Sequence, residues 1–183
     1  MRMGAKEHLE FGHSFHDWWG RYGQEHPEYF AVNGRGVREP LFVDRPDRVQ
    51  TCCSEPGVVR QAVANWLERR QTDTLSTRAV CVALNDGGGG GAAEYCHCPR
   101  CLALDERLPG EALDDHLTDR YLHVANRALA AARQQVPEAL ATAYAYAPTL
   151  LPPRRLRVAD GVVLQFVTAL NTPLAQTEAL YAG

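Results

Sequence analysis

Residues 79–101 constrain this chain more than any other stretch: A-V-C-V-A-L-N-D, five glycines, then A-A-E-Y-C-H-C-P-R-C. The opening apolar run is the pattern of a parallel strand buried on both faces. It delivers Asn85 and Asp86 into a loop, the arrangement by which α/β enzymes present chemistry at strand ends. Three cysteines, Cys96, Cys98 and Cys101, follow at once, so the loop is pinned. The glycine run lacks the Lys-Ser/Thr ending of a phosphate loop and reads as a tolerated loop expansion.

The flanking sequence alternates strand and helix patterns. Residues 49–52 read as a strand. Ser54 then reads as an N-cap with Pro56 in the first turn, and Val58, Val59, Ala62, Val63, Trp66 and Leu67 recur at helical spacing over 56–70. Residues 79–84 form the next strand, 99–107 a short helix and 118–135 a longer one. Residues 140–146 and 162–167 are two further strands, joined by a connection rich in proline and arginine. Such alternation predicts a parallel sheet with crossover helices. With about four strands, the expected fold is α/β: a partial (β/α)8 TIM-type barrel. A complete barrel needs ~250 residues, and the chain has 183, so a fragment is expected. Residues 1–48 are an aromatic-rich loop region within one domain, with a short helix over 15–22 and a turn at 33–36.

Composition excludes several classes. The formal charge of −3 and the lack of a basic stripe argue against nucleic acid. No apolar run approaches the ~20 residues that span a bilayer. Of the six cysteines, Cys81 sits in the apolar strand and reads as a buried thiol. The C-x-C-x2-C cluster supplies three thiolates, and Cys52 or Cys53 would supply a fourth, with Cys52 the candidate. Cys52, Cys96, Cys98 and Cys101 therefore read as a closed structural zinc site or as disulfides. His97 reads as a solvent-facing spacer.

Several segments occur together in one order: G-H-S-F-H-D-W-W at 12–19, H-P-E-Y-F at 26–30, C-C-S-E-P-G-V-V at 52–59, N-D-G-G at 85–88 and C-H-C-P-R-C at 96–101. D-R-Y-L at 119–122 and Y-A-Y at 144–146 complete the set. Together they resemble the bacterial glycoside-hydrolase-like family catalogued as domain of unknown function 4838. The resemblance implies a carbohydrate-active barrel, distantly similar to α-glucuronidases and hexosaminidases, with some members acting as endo-β-N-acetylglucosaminidases on N-glycans. Against that family's pattern, residues 89–94 look like an insertion.

The resemblance directs attention to four groups of residues. Asp86 is the candidate catalytic carboxylate, because glycosidases need carboxyl groups beside the scissile bond, or one that orients a 2-acetamido group acting as nucleophile. The competing reading is an Asx turn ending the strand. His13, Trp18 and Asn85 are candidate sugar contacts, since aromatic faces stack on sugar C–H faces while polar groups bond hydroxyls; an aromatic core plug is the alternative for the tryptophans. Tyr144 and Tyr146 share one strand face, with Tyr146 the candidate contact and a packed pair the alternative. The partner carboxylate is open between Asp17, Glu94 and a residue outside this chain. The expected activity is hydrolysis of glycosidic bonds, at β-linked N-acetylglucosamine in a glycan, with no catalytic cofactor; a non-catalytic carbohydrate-binding fragment is the alternative. A secreted or periplasmic place is expected if the full-length protein has a signal peptide.

Overall fold

The structure, a computed structural model, describes residues 9–72 and 78–167. Its centre is a parallel sheet in the order β1-β2-β3, formed by β1 (Ala79–Cys81), β2 (Leu140–Tyr146) and β3 (Val162–Val167). The helices are α1 (Trp18–Tyr22), α2 (Pro56–Thr72), α3 (Pro99–Leu102) and α4 (Thr118–Arg133). The class is mixed α/β as expected, but the sheet is open and three-stranded, and no barrel closes among the described residues. No described helix is long and apolar enough to cross a membrane.

The missing strand is 49–52. Its backbone turns to an earlier segment: Ala31 N–H donates to Gln50, Cys52 N–H donates to Tyr29, and Phe30 and Thr51 make one isolated antiparallel bridge. A 3-10 turn at Pro46–Arg48 precedes it and the buried Cys52 and Cys53 end it, leaving too few residues for a ladder with β1. The ladder of β1 is shorter than the 79–84 pattern predicts. Val82 still donates to Thr142 at 2.9 Å. Ala83 then exchanges bonds with Ser14, its carbonyl accepting the Ser14 N–H at 3.1 Å and its N–H donating to Ser14 Oγ at 3.0 Å.

Helix α2 begins where expected, but its cap is Glu55, whose carboxylate accepts the Gly57 N–H at 3.1 Å; Ser54 is engaged elsewhere. Arg69 and Arg70 close the last turn, where cations suit the helix dipole. Val58, Val59, Ala62, Val63 and Trp66 are buried along one face. Helix α4 buries Tyr121, Leu122, Ala125, Ala128, Leu129 and Ala132, and packs on both α2 and β2.

Strand β2, L-A-T-A-Y-A-Y, sorts its side chains by the two-residue period of a strand. Ala141, Ala143 and Ala145 are buried, and their small size lets α4 approach closely. Thr142, Tyr144 and Tyr146 face the other way. There the segment 10–14 crosses the sheet: Thr142 Oγ1 donates to the Glu10 carbonyl at 2.7 Å and Phe11 stacks on Tyr144. In register with them on β3 lie Val163, Gln165 and Val167.

Candidate active-site cleft and thiol cluster

At the carboxyl ends of the strands lies an open cleft of ≈ 240 Å³, lined by His13, Asp86, Tyr144, Tyr146 and Val167. Each lining residue arrives for a local reason. Asp86 follows the last apolar residues after β1. The two tyrosines share a face of β2, with Val167 beside Tyr146 in register. His13 is held by the crossing segment, its Nδ1 2.7 Å from the Leu84 carbonyl.

Asp86 Oδ2 is met by two groups, His13 Nε2 at 3.2 Å and Arg48 at 3.1 Å. Both ring nitrogens of His13 thus face oxygen atoms. Tyr144 meets the His13 ring edge-on, 5.6 Å between centroids. Burial raises the Tyr144 phenol above its ordinary range, with Cys81 and Asp86 adding to the effect, so the hydroxyl stays a donor at neutral pH. Among the described residues, neither Asp86 Oδ1 nor the Tyr144 hydroxyl has a hydrogen-bond partner in the protein.

The other sequence candidates lie apart from this group. Asn85 is 2 % exposed and both polar atoms of its amide have protein partners: Oδ1 accepts the Phe15 N–H at 3.3 Å and Nδ2 donates to Val49 at 2.8 Å. These bonds tie the strand end to segment 13–18 and to Val49. Trp18 is buried at 2 % and packs edge-to-face on Phe15 and Tyr22. It borders a different hollow, ≈ 360 Å³, between segment 10–18 and α2. Charged groups there pair with one another, Glu10 with Arg69 and Asp17 with Arg21.

Neither candidate partner carboxylate reaches the cleft. Asp17 is exposed, and Glu94 is buried beneath the glycine run, accepting the N–H groups of Gly88 and Gly90, each at 2.5 Å. The glycines are therefore a fitted loop rather than a loose expansion. Gly89 has φ of +101°, and a Cβ on Gly88 would lie 2.6 Å from the Phe42 ring. Arg45 and Arg48 add bonds to the carbonyls of Gly88 and Gly87. Arg48, which pairs with Asp86 from beside the cleft, is the residue that sequence reasoning missed. It sits in a polar R-P-D-R stretch, where nothing local distinguishes it from its arginine neighbours.

The four candidate cysteines converge. The sulfurs of Cys52, Cys96, Cys98 and Cys101 all lie within 4.8 Å of one another and all four residues are buried. Cys52 Sγ is 3.8 Å from Cys98, 3.7 Å from Cys101 and 3.8 Å from Cys96. These are free thiols, far from the ~2.05 Å of a disulfide. Backbone N–H groups of Val32, Ser54 and Cys101 point at Cys96, Cys101 and Cys98, at 3.3, 3.3 and 3.4 Å. Ser54 Oγ lies within 3.5 Å of three of the sulfurs. Hydrogen bonds from Cys101 and then Cys96 pull the Cys52 thiol down, whereas the bonds of Cys96 with Cys101 and then Cys52 push Cys96 up. The three backbone N–H groups aimed at sulfur favour the thiolate form of the atoms they meet. Cys53 is buried outside it. His97 is half-buried rather than solvent-facing, with Nε2 3.0 Å from the Ala92 carbonyl.

An open α/β sheet with a polar cleft at its strand ends and a four-thiol cluster beside it defines the class of protein. The chain belongs to the family described as Domain of unknown function (DUF4838), whose model matches residues 2–179. No curated protein matches the chain, and neither does any solved structure.

Proposed function

We propose that this chain carries part of a glycoside hydrolase site, within a sheet that belongs to a larger (β/α) barrel, acting at β-linked N-acetylglucosamine in glycans. The observation that carries the reading is the meeting of Asp86, His13, Tyr144 and Tyr146 in one cleft at the carboxyl ends of parallel strands, where α/β enzymes place their chemistry. Asp86 acts as the ion-paired carboxylate. Arg48 and His13 hold Oδ2, and Oδ1 faces the sugar to orient a 2-acetamido group as nucleophile. Tyr144 donates to the acetamido or ring oxygens, and Tyr146 supplies an aromatic surface for a sugar C–H face.

The described part of the cleft holds one carboxylate. That favours a second reading, in which this region binds a glycan without cleaving it. Asp86→Asn separates the two. The substrate is an oligosaccharide with an N,N′-diacetylchitobiose core, and products are read by mass spectrometry. Turnover falls by about 10²–10⁴ with glycan binding retained if the cleft is catalytic. Turnover equal to the parent's removes Asp86 from the chemistry. Binding with no turnover in the parent leaves the binding module.

We propose further that Cys52, Cys96, Cys98 and Cys101 hold one structural zinc ion. A tetrahedron with Zn–S bonds of ~2.3 Å has sulfur–sulfur edges of ~3.8 Å, close to the 3.7–3.8 Å separations at Cys52. Four thiolates close the coordination sphere, so the ion cross-links the segments around Cys52 and 96–101 and takes no substrate.

A further inference from the structure

The loop that carries Asp86 is held by two braces, and both run to the thiol cluster. On one side, Gln50 Nε2 donates to the carbonyls of Asn85 at 2.9 Å and Asp86 at 3.5 Å. Gln50 is two residues before Cys52. On the other side, Glu94 accepts the N–H groups of Gly88 and Gly90. Glu94 is two residues before Cys96. Both side chains are buried, at 2 % and 6 % exposure. Two extended residues span at most ~7 Å, so neither brace moves far independently of its cysteine. Arg48, at the start of the first brace, pairs with the Asp86 carboxylate itself.

We propose that the metal held by the four thiolates organises the Asp86 loop, with Gln50 and Glu94 as the positioning residues that connect the two. The metal touches no substrate; it fixes where the carboxylate stands. Its catalytic consequence rests on the glycosidase reading, whereas the mechanical link rests on the braces alone. In the metal-loaded protein, Gly88 and Gly90 stay protected and the His13–Asp86 pair stays formed. In the metal-free protein, the two cysteine segments relax, the braces follow, and the carboxylate loses its fixed position.

The test uses the full chain loaded with zinc. Glu94→Gln is nearly isosteric, but it places an NH2 where one of two N–H groups needs an acceptor. The expected result is an unchanged zinc content, about tenfold or greater acceleration of amide hydrogen exchange at Gly88 and Gly90, and a shift of the His13 ring ¹⁵N resonances. Amides of Ala141 and Ala143 in β2 are expected to stay as in the parent. Removing zinc with a chelator reproduces the loop and His13 changes. Native exchange and native His13 resonances in Glu94→Gln overturn the proposal, as does a chelated protein with an undisturbed loop. A parent protein that takes up no metal under any loading condition also overturns it. If chelation unfolds the whole chain, Glu94→Gln decides, and Gln50→Met decides if Glu94→Gln does not fold. Confirmed loop coupling in a protein without glycan turnover sinks the glycosidase reading and leaves the link standing.

Discussion

The thiol cluster and the cleft sit at opposite ends of short braces, and they treat polar atoms in opposite ways. Around the cluster the sulfurs are buried and met by backbone N–H groups, by Ser54 or by one another. The charged side chains nearby are closed off too: Arg120 pairs with Asp105 and donates to the Cys96 carbonyl, and the Asp119 carboxylate accepts the N–H groups of Arg154, Arg155 and Leu156. In the cleft, by contrast, Asp86 keeps one oxygen open and the Tyr144 hydroxyl has no protein partner among the described residues. Buried polar groups left unpaired are costly, and satisfied ones have nothing to offer a ligand. The difference separates scaffold from site more sharply than residue type does, because both regions are rich in acids, arginines and aromatics.

The largest effect expected from breaking this contrast lies at the cluster. Structural zinc contributes about 10–16 kcal/mol in small zinc-finger peptides, comparable with the whole ~5–15 kcal/mol stability of a domain. Cys101→Ser is therefore expected to lose bound zinc and to melt at a much lower temperature. Cys81→Ala, which removes a thiol outside the cluster, keeps full metal content. Metal analysis and melting of the two variants decide the matter, and equal zinc in both would show that the four sulfurs do not form a metal site. The next effect in size concerns Asp105. Arg120 is fully buried and its ion pair with Asp105 is nearly inaccessible, so Asp105→Asn leaves a buried cation short of its partner. A loss of about 3–5 kcal/mol is expected in denaturant unfolding. A loss near zero would mean that water reaches this side of the cluster.

Much of the scaffold is visible in the sequence because it repeats with a period. The helical spacing of Val58, Val59, Ala62, Val63 and Trp66 marks α2, and the alternation of alanine with threonine and tyrosine marks both faces of β2. The cysteine grouping identifies the four convergent sulfurs. What the sequence hides depends on partners distant in the chain. Residues 49–52 carry a strand pattern, yet their hydrogen bonds go to Tyr29 and Ala31. Asn85 and Asp86 are neighbours at a strand end, yet Val49 and Phe15 consume the amide of one while the other reaches the cleft. Arg48 gains its place only because a 3-10 turn delivers it to an acid 38 positions later. Trp18 shares a segment with His13, and helix α1 turns it into the core. The D-R-Y-L segment is similar: Asp119 ties down the 154–156 connection, Arg120 backs the cysteine cluster and Tyr121 bonds Gln50.

Two tyrosines offer the finest test of the contrast, because one change removes the same atom from each region. The Tyr121 hydroxyl donates to Gln50 Oε1 at 3.2 Å in a fully buried setting. Tyr121→Phe strands that acceptor, and a loss of about 1–3 kcal/mol of stability follows. The Tyr144 hydroxyl faces the cleft instead. Tyr144→Phe is expected to leave stability within about 0.5 kcal/mol and to weaken binding of a chitobiose-core oligosaccharide by roughly tenfold, the worth of about one net hydrogen bond. Unfolding curves and glycan titrations of both variants give the four numbers. Equal destabilisation by the two would mean that the Tyr144 hydroxyl is part of the scaffold, leaving Asp86 Oδ1 as the open polar atom of the cleft.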